Sequence, residues 1–492
     1  MGSTLPASRL SSRRRIGILL ICCMSLFIVG IDNTIVNVAL PSIGRDLHAS
    51  LSGLQWTVDA YTLVLASLLM LSGSTADRLG RRRVFQIGLA LFTLGSLASS
   101  LAPSLTWLVI FRMLQAIGGS MLNPVAMSII RNTFEDPRER AQAIGIWGAV
   151  TGISMALGPL LGGLLVDSVG WRSIFWVNIP IGVAAIVLTA LFVPESRAPR
   201  ARRLDPVGQA LVLVALASIT YGIIEGPRKG WLSPLILGLF ALGALSLVAL
   251  VFFEQRRDEP LVELRFFRSV PFSAATLIAV AAFVCLGGFL FLNTLYLQDV
   301  RHLSALQAGI DTLPMAGVTV LFSPISGWTV GHVGARPSLI AGGLGLATGS
   351  LILTGMTPAT PFAALFVAYV VFGIGAGVIN APITNTAVSG MPAAQAGVAS
   401  AIASTSRQIG SSLGVAVVGA AAAATLAGRG VGPAFAAATH TGWWIIVACG
   451  AAVAILGISS TTPFAKETAR KAAASFEEEE PNHPAREPAA QV

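Results

Sequence analysis

Five charged side chains interrupt the apolar runs of this 492-residue chain: Asp32, Asp59, Arg112, Asp311 and Arg407. A charge at the centre of a bilayer costs about 2.5 to 3.5 kcal/mol on insertion scales, so a retained one marks a working residue by default. Asp32 lies eight residues before the end of the apolar run 16–40, and Arg112 seven residues after the start of the run 105–130. At 1.5 Å per helical residue they sit about 12 and about 10 Å from the same membrane face. A nearby guanidinium favours the ionised acid, whereas an apolar surround favours the neutral one. A conformational change that alters the balance would load and release a proton. The same pair also reads as a permanent salt bridge that pins two helices. Asp59, in Trp56-Thr57-Val58-Asp59-Ala60-Tyr61, and Asp311, in Gly309-Ile310-Asp311-Thr312-Leu313-Pro314, stand about 8 Å inside their helices. Either they snorkel to the interface or they face a substrate cavity and attract cations. Arg407, nearer mid-span, is structural or cavity-facing.

These residues need helices that cross a membrane to hold them. The chain is 54% hydrophobic and 11% charged, against about 25% charged for a soluble domain. Its mean hydropathy is +0.76. Its runs have the length of a bilayer crossing, about 20 residues, and lack the two-residue alternation of a barrel strand. The expected fold is an all-α membrane protein of about fourteen transmembrane helices. Residues 1–203 hold a six-helix bundle, 204–256 two intervening helices and their linker, and 257–465 a second six-helix bundle. The linker is Arg-rich (Arg197, Arg200, Arg202, Arg203), and 466–492, with Glu477–Glu480 and several prolines, reads as a disordered tail. The first run continues to Leu40 through Asp32 and Asn33, which suits an uncleaved helix better than a signal peptide.

Placing both termini in the cytoplasm puts 24 of the 32 Lys and Arg in cytoplasmic segments and six outside, as the positive-inside rule requires. The formal charge of +9 is thus topological, and no nucleic-acid partner is expected. A repeat relates the halves: Gly73-Ser-Thr-Ala-Asp77-Arg-Leu-Gly80 returns as Gly327-Trp-Thr-Val-Gly331-His-Val-Gly334, and Tyr369 takes the place of Arg112. Inverted or parallel repeats of this kind build a midplane site with alternating access.

The three lysines (Lys229, Lys466, Lys471) do not follow a glycine, which excludes a P-loop. Gly342–Gly349 and Gly373–Gly377 lie in apolar runs with no preceding strand, which argues against a dinucleotide site. The cysteines Cys22, Cys23, Cys285 and Cys449 fall inside spans without metal-ligand spacing. No enzyme constellation, cofactor site or metal site is expected, so transport would draw on an ion gradient.

Gly73-Ser-Thr-Ala-Asp77-Arg78-Leu-Gly80-Arg81-Arg82-Arg83 reads as a loop between the second and third spans, its glycines permitting a tight turn. Its spacing resembles the signature loop of the major facilitator superfamily, which implies a charge-relay latch made by Gly73, Asp77, Arg78, Gly80 and Arg81. Asp32-Asn33-Thr34-Ile35-Val36-Asn37-Val38-Ala39-Leu40-Pro41 resembles the first-helix motif of the fourteen-helix drug/proton antiporters. Arg112-Met-Leu-Gln115-Ala-Ile-Gly118-Gly119 resembles their fourth-helix motif. Gly148, Gly152, Gly158-Pro159 and Gly162-Gly163 resemble the fifth-helix motif of exporters, read there as a hinge or a seal against ion leak. Small residues at this spacing also simply let helices approach closely. Trp171-Arg172, Phe175, Asn178-Ile179-Pro180 and Arg407-Gln-Ile-Gly410…Gly414 resemble the same branch.

The resemblance implies a monomeric exporter of drugs or drug-like amphipathic compounds in the cytoplasmic membrane, exchanging substrate for protons at Asp32 and Arg112. Its rivals are an exporter of one natural product, a nutrient importer, and a receptor or scaffold on the same fold.

Overall fold

Seven of the helices begin where a capping side chain stands ready. Ser11 and Ser50 accept the Arg14 and Gly53 amides at the heads of α1 (Ser12–Asp46) and α2 (Leu51–Leu79). Asp136 caps α5 (Pro137–Ser168), Asp205 caps α8 (Pro206–Lys229), Ser233 caps α9 (Pro234–Glu254) and Ser269 caps α10 (Val270–Leu295). Each of these four carries a proline in its first turn, where the missing N–H has no helical partner to lose. Ser304 and Gln307 form a capping box on α11 (Ala305–His332). The other helices are α3 (Arg81–Ser100), α4 (Leu105–Thr133), α6 (Ser173–Trp176), α7 (Asn178–Phe192), α12 (Ala335–Leu353), α13 (Phe362–Val388), α14 (Ala396–Leu426), α15 (Ala434–Ala438), α16 (His440–Ser459) and α17 (Pro463–Glu477). This computed structural model describes residues 11–198, 204–257, 260–391, 395–426, 431–432 and 434–477, and no strand occurs among them.

Thirteen helical segments among the described residues are long and apolar enough to cross a membrane. The 20-residue α3 supplies a fourteenth crossing by length, its arginines, glycines and serines lowering its apolarity. It is held by close packing, with Gly88 and Gly95 set against the backbone of Gly118 and Gln115 on α4. The crossings alternate in direction, so Ser11 and Glu477 lie at the same end of the bundle, the terminal end.

In the first half α1 packs on α5, α2 on α4, and α3 on α4 and α7. In the second half α10 packs on α14, α11 on α13, and α12 on α13 and α16. The α8–α9 pair rests on α2 and α14 through α8. There Trp56 Nε1 donates to Glu225 Oε1 at 3.2 Å and Gln209 donates to the Ser67 carbonyl.

The halves meet along two seams, α5 with α11 and α2 with α14. Contact is concentrated away from the terminal end. Ile31 to Ile43 of α1 share one apolar core with Phe289 to Val300 of the second half. Ile18, Ile21, Cys22, Ile28 and Val29 of the same helix belong to a second core made of first-half residues. Gln298 donates to the Val38 carbonyl (2.8 Å), Gln55 to the Val415 and Ala416 carbonyls (3.1 and 2.9 Å), and Asp167 accepts the Ala305 and Leu306 amides (3.1 and 2.8 Å). Arg45 reaches Asp299 at 3.3 Å. Toward the terminal end α5 and α11 both expose large apolar side chains, among them Ile146, Ile153, Leu321, Ile325 and Trp328. The bundle is therefore closed at the far end and parted at the terminal end.

Two sequence expectations change. Gly73 to Leu79 are not a loop: α2 runs two turns further than hydropathy suggests, and the whole reversal into α3 is carried by Gly80 at φ 115°. Positive φ there suits glycine alone at low cost, and Gly334 at φ 96° repeats the device between α11 and α12. Hydropathy misses this because Ser74, Thr75, Asp77 and Arg78 are polar yet helical.

The tail expected to be disordered from Lys466 instead begins as α17. Ala465, Ala469, Ala472 and Phe476 form its buried face, Phe476 lies 5.4 Å from the Phe266 ring, and Thr468 accepts the Val270 amide at 3.0 Å. A Glu467–Lys471 pair one turn apart (2.8 Å) supports its outer face. The charge of this segment masked its amphipathic period. Arg200, Arg202, Arg203 and Glu478–Glu480 lie outside the described residues.

Candidate functional site

The site is assembled from four helices around one acid. Asp32 on α1 is fully buried (0% exposed), as is Arg112 on α4 (1%). Arg112 NH1 meets Asp32 Oδ2 at 2.5 Å. Gln115 Nε2, one turn along α4, donates to Oδ1 at 2.7 Å, and Asn178 Nδ2 donates to the same oxygen at 3.1 Å. Asn178 opens α7 just after the break from α6, and it also donates to Ser96 Oγ on α3 at 3.1 Å. Ser96 in turn donates to the Phe175 carbonyl at 2.8 Å.

Arg112 has further support. Nε donates to the Thr57 carbonyl at 3.4 Å and NH1 to Gln115 Oε1 at 2.9 Å. The guanidinium carbon lies 4.2 Å from the Tyr61 ring centroid, a cation–π contact. Both Asp32 oxygens accept and only donors surround them, which is the geometry of an ionised carboxylate. Five helices of the first half, α1, α2, α3, α4 and α7, thereby depend on one charge.

The depth estimate from sequence brought Asp32 and Arg112 to one level, and the structure brings them into contact. The sequence segments name Gln115, Asn178 and Tyr61 without a role, and Ser96 goes unnoticed. The available signal was their polarity inside apolar runs. Across the repeat, α10 and α13 meet through a neutral pair, the Tyr369 hydroxyl donating to Asn293 Oδ1 at 2.5 Å.

The glycine motif on α5 works on two faces. A Cβ at Gly158 would run into Thr34, and one at Gly162 into Ile35, so these glycines seat α5 against α1 next to Asp32. Gly163 instead faces the Ala305 and Leu306 backbone, Gly152 faces Val320, and the Pro159 carbonyl lies against Gly309 of α11. These form the seam between halves. Gly148 has open space around it.

At the terminal end Arg81 pairs with Asp77 at 2.9 Å, and the Ala198 amide donates to the Asp77 carbonyl at 3.1 Å. Glu195, unanticipated, accepts the Arg82 amide at 3.1 Å and lies 3.7 Å from Arg83. A side chain at Gly80 would strike Glu195. Gly73 and Arg78 lie on the last turns of α2, with Arg78 exposed. The Asp77 cluster ties α2, α3 and the segment after α7 to one another.

The profile of the Major Facilitator Superfamily matches residues 22–415. The chain belongs to the Major Facilitator Superfamily. It is 39% identical over 403 residues to the multidrug resistance protein Stp of Mycobacterium tuberculosis, covering 82% of this chain and 75% of that one. It is 37% identical to the tetracenomycin C resistance and export protein of Streptomyces glaucescens, over 82% of this chain and 74% of that one. The fold agrees with the crystal structure of a bacterial homologue of the human lysosomal transporter Spinster, with a TM-score of 0.66 at 19% identity over 94% of this chain and 99% of that one. The chain is thus a multi-pass membrane transporter and not an enzyme.

Within this facilitator the other mid-span charges part company. Asp59 does not border the space between the halves. It is 0% exposed on α2 in the α2–α14 seam, with Thr62 donating to it at 3.5 Å and Oδ2 unpartnered among the described residues. The cross-half packing of α14 closes it off, which no local pattern announces. Asp311 is partly buried on the α13 side of α11, near Arg301 and Tyr369. Ala308 and Thr312 of the same helix line the space between the halves near its closed end. Arg407 is half-buried on α14, donating to Thr384 Oγ1 at 3.2 Å and Ser404 Oγ at 2.8 Å.

Proposed function

We propose that this facilitator exports drug-like amphipathic compounds across the cytoplasmic membrane in exchange for protons, as a monomer with both termini in the cytoplasm. The observation that carries this reading is the sealed Asp32–Arg112–Gln115–Asn178 network. Protonating Asp32 removes the charge that balances Arg112, and an uncompensated buried partner costs about 3 to 5 kcal/mol. Arg112 must then find other partners, and the helices it ties together must shift. Proton occupancy and bundle geometry are coupled by that requirement. Direction is supported by the relatives, whose names state multidrug resistance for one and resistance and export for another. The α5 glycines that seat α1 and α11 give the two halves a surface on which to close.

In this reading the parted, terminal end faces the cytoplasm and takes up substrate while Asp32 is ionised. Opening the far seam then exposes Asp32 to the outer proton pool, substrate leaves, and the protonated network permits return.

Proteoliposomes test the whole reading. With an imposed pH gradient, purified protein is expected to concentrate a fluorescent amphipathic dye, and an uncoupler is expected to abolish the accumulation. Uptake that is indifferent to the uncoupler would refute proton coupling. Topology is tested separately: reporter fusions after Arg15 and after Glu467 are both expected to read as cytoplasmic. An external signal from the second would overturn the even number of crossings.

A further inference from the structure

The mid-span charges differ in their surroundings. Asp32 and Arg112 neutralise each other at 2.5 Å, Asp59 is closed off in the α2–α14 seam, and Asp311 lies toward Arg301 on the α13 side of α11. Arg407 differs. Its partners are the hydroxyls of Thr384 and Ser404, and no ion pair to it occurs among the described residues. It stands eleven residues into α14, about 16 Å from the terminal end of that helix. A guanidinium at such depth is costly in lipid, and Arg407 is mostly buried, so we read its small exposed edge as opening onto the cleft left where the halves part.

The lining of that space includes neutral polar side chains. Toward its closed end it is lined by Thr34, Asn37, Asn293, Thr294, Gln298 and Thr312. Toward the terminal end, Arg131 of α4 reaches across to Gly397, ten residues before Arg407 on α14. The route into the cleft thus passes one cation and ends near another. Asp59 is closed off from it in the α2–α14 seam.

We propose that Arg407 anchors the substrate, and that the preferred substrates are aromatic amphiphiles bearing an acidic group, a carboxylate or phenolate, rather than cations. This rests on the exporter reading above and names its substrate class. A guanidinium presents a planar fork of donors and no acceptor, which matches a carboxylate in two parallel hydrogen bonds. The hydroxyls of Thr384 and Ser404 hold that fork in place without neutralising it. A cationic substrate would meet uncompensated like charge in the same cleft.

Three anthracenes with one ring system test the proposal: anthracene-9-carboxylate, its methyl ester, and 9-(aminomethyl)anthracene. Binding to the purified full-length protein in detergent is read by fluorescence. The carboxylate is expected to bind at least about tenfold more tightly than the ammonium compound, a difference of about 1.4 kcal/mol. Arg407→Gln is expected to weaken the carboxylate about tenfold and the ester less than twofold, and Arg407→Lys to recover part of the loss. Equal weakening of all three probes would mark Arg407 as structural, and an ammonium compound bound as tightly as the carboxylate would overturn the substrate class. Proteoliposomes separate the two proposals. If a pH gradient drives the ester and the ammonium compound but not the carboxylate, the exporter reading stands and this inference falls. If wild-type protein binds the carboxylate selectively yet moves no probe against the gradient, the inference stands and proton-driven export falls.

Discussion

Asp32→Asn is expected to abolish uphill export while leaving the protein in the membrane. The amide cannot hold an exchangeable proton, so no step of the cycle can couple to the gradient. For one proton per substrate, an imposed difference of two pH units supports about a hundredfold accumulation, since each tenfold is worth about 1.4 kcal/mol. The variant is expected to equilibrate substrate at most, a loss of about two orders of magnitude. Asn also leaves Arg112 without its counter-charge, and breaking a buried pair destabilises by about 3 to 5 kcal/mol. The double variant Asp32→Asn/Arg112→Gln removes that penalty and separates folding from coupling. It is expected to regain stability toward detergent extraction and heating without regaining accumulation. Either variant concentrating substrate under a pH gradient would remove Asp32 from the coupling site.

Much of this architecture is legible in the sequence because membrane-spanning helices announce themselves locally. Apolar length gave the crossings, while the caps at Asp136-Pro137 and Asp205-Pro206 that set where two of them begin emerge only in the structure. Depth along two helices placed Asp32 and Arg112 at one level. What depth does not give is azimuth. Asp32 and Arg112 share a level and meet, whereas Asp59 and Asp311 share a similar depth yet lie in different packing environments. The difference is made by contacts far apart in the chain, the α2–α14 seam for Asp59 and the α11–α13 packing for Asp311. Polar helix ends were the second blind spot. The last turns of α2 and the whole of α17 are helical through capping, salt bridges and a narrow buried face, none of which raises hydropathy.

The α5–α11 seam carries the other large effect, because here close approach is backbone against backbone. A Cβ at Gly163 would lie 2.5 Å from Leu306 Cα and 2.6 Å from the Ala305 carbonyl oxygen, and one at Gly309 would lie 2.5 Å from the Pro159 carbonyl oxygen. Backbone atoms cannot turn aside as a rotamer does, so a side chain at either position must push the helices apart. Gly163→Val therefore penalises the state in which the far end is closed and leaves the open state untouched. Overpacking of this kind costs about 1 to 3 kcal/mol, which shifts a two-state equilibrium by about 5- to 150-fold. Combining it with Gly309→Val approaches the roughly 5.5 kcal/mol that moves a population from one state almost wholly to the other. The expected result is loss of turnover together with a gain of access. A cysteine placed at Asn37, which lines the space behind the closed end, is expected to react at least about tenfold faster with a membrane-impermeant maleimide added on the face opposite the termini. A cysteine-free background removes the thiols of the native chain. Gly163→Ala supplies a graded control, since the smallest side chain tests whether the seam tolerates any separation at all. If the double valine variant exports at the wild-type rate with unchanged labelling, the α5–α11 contact is packing alone and closure of the far end is set by Asp167, Gln55 and Gln298 instead.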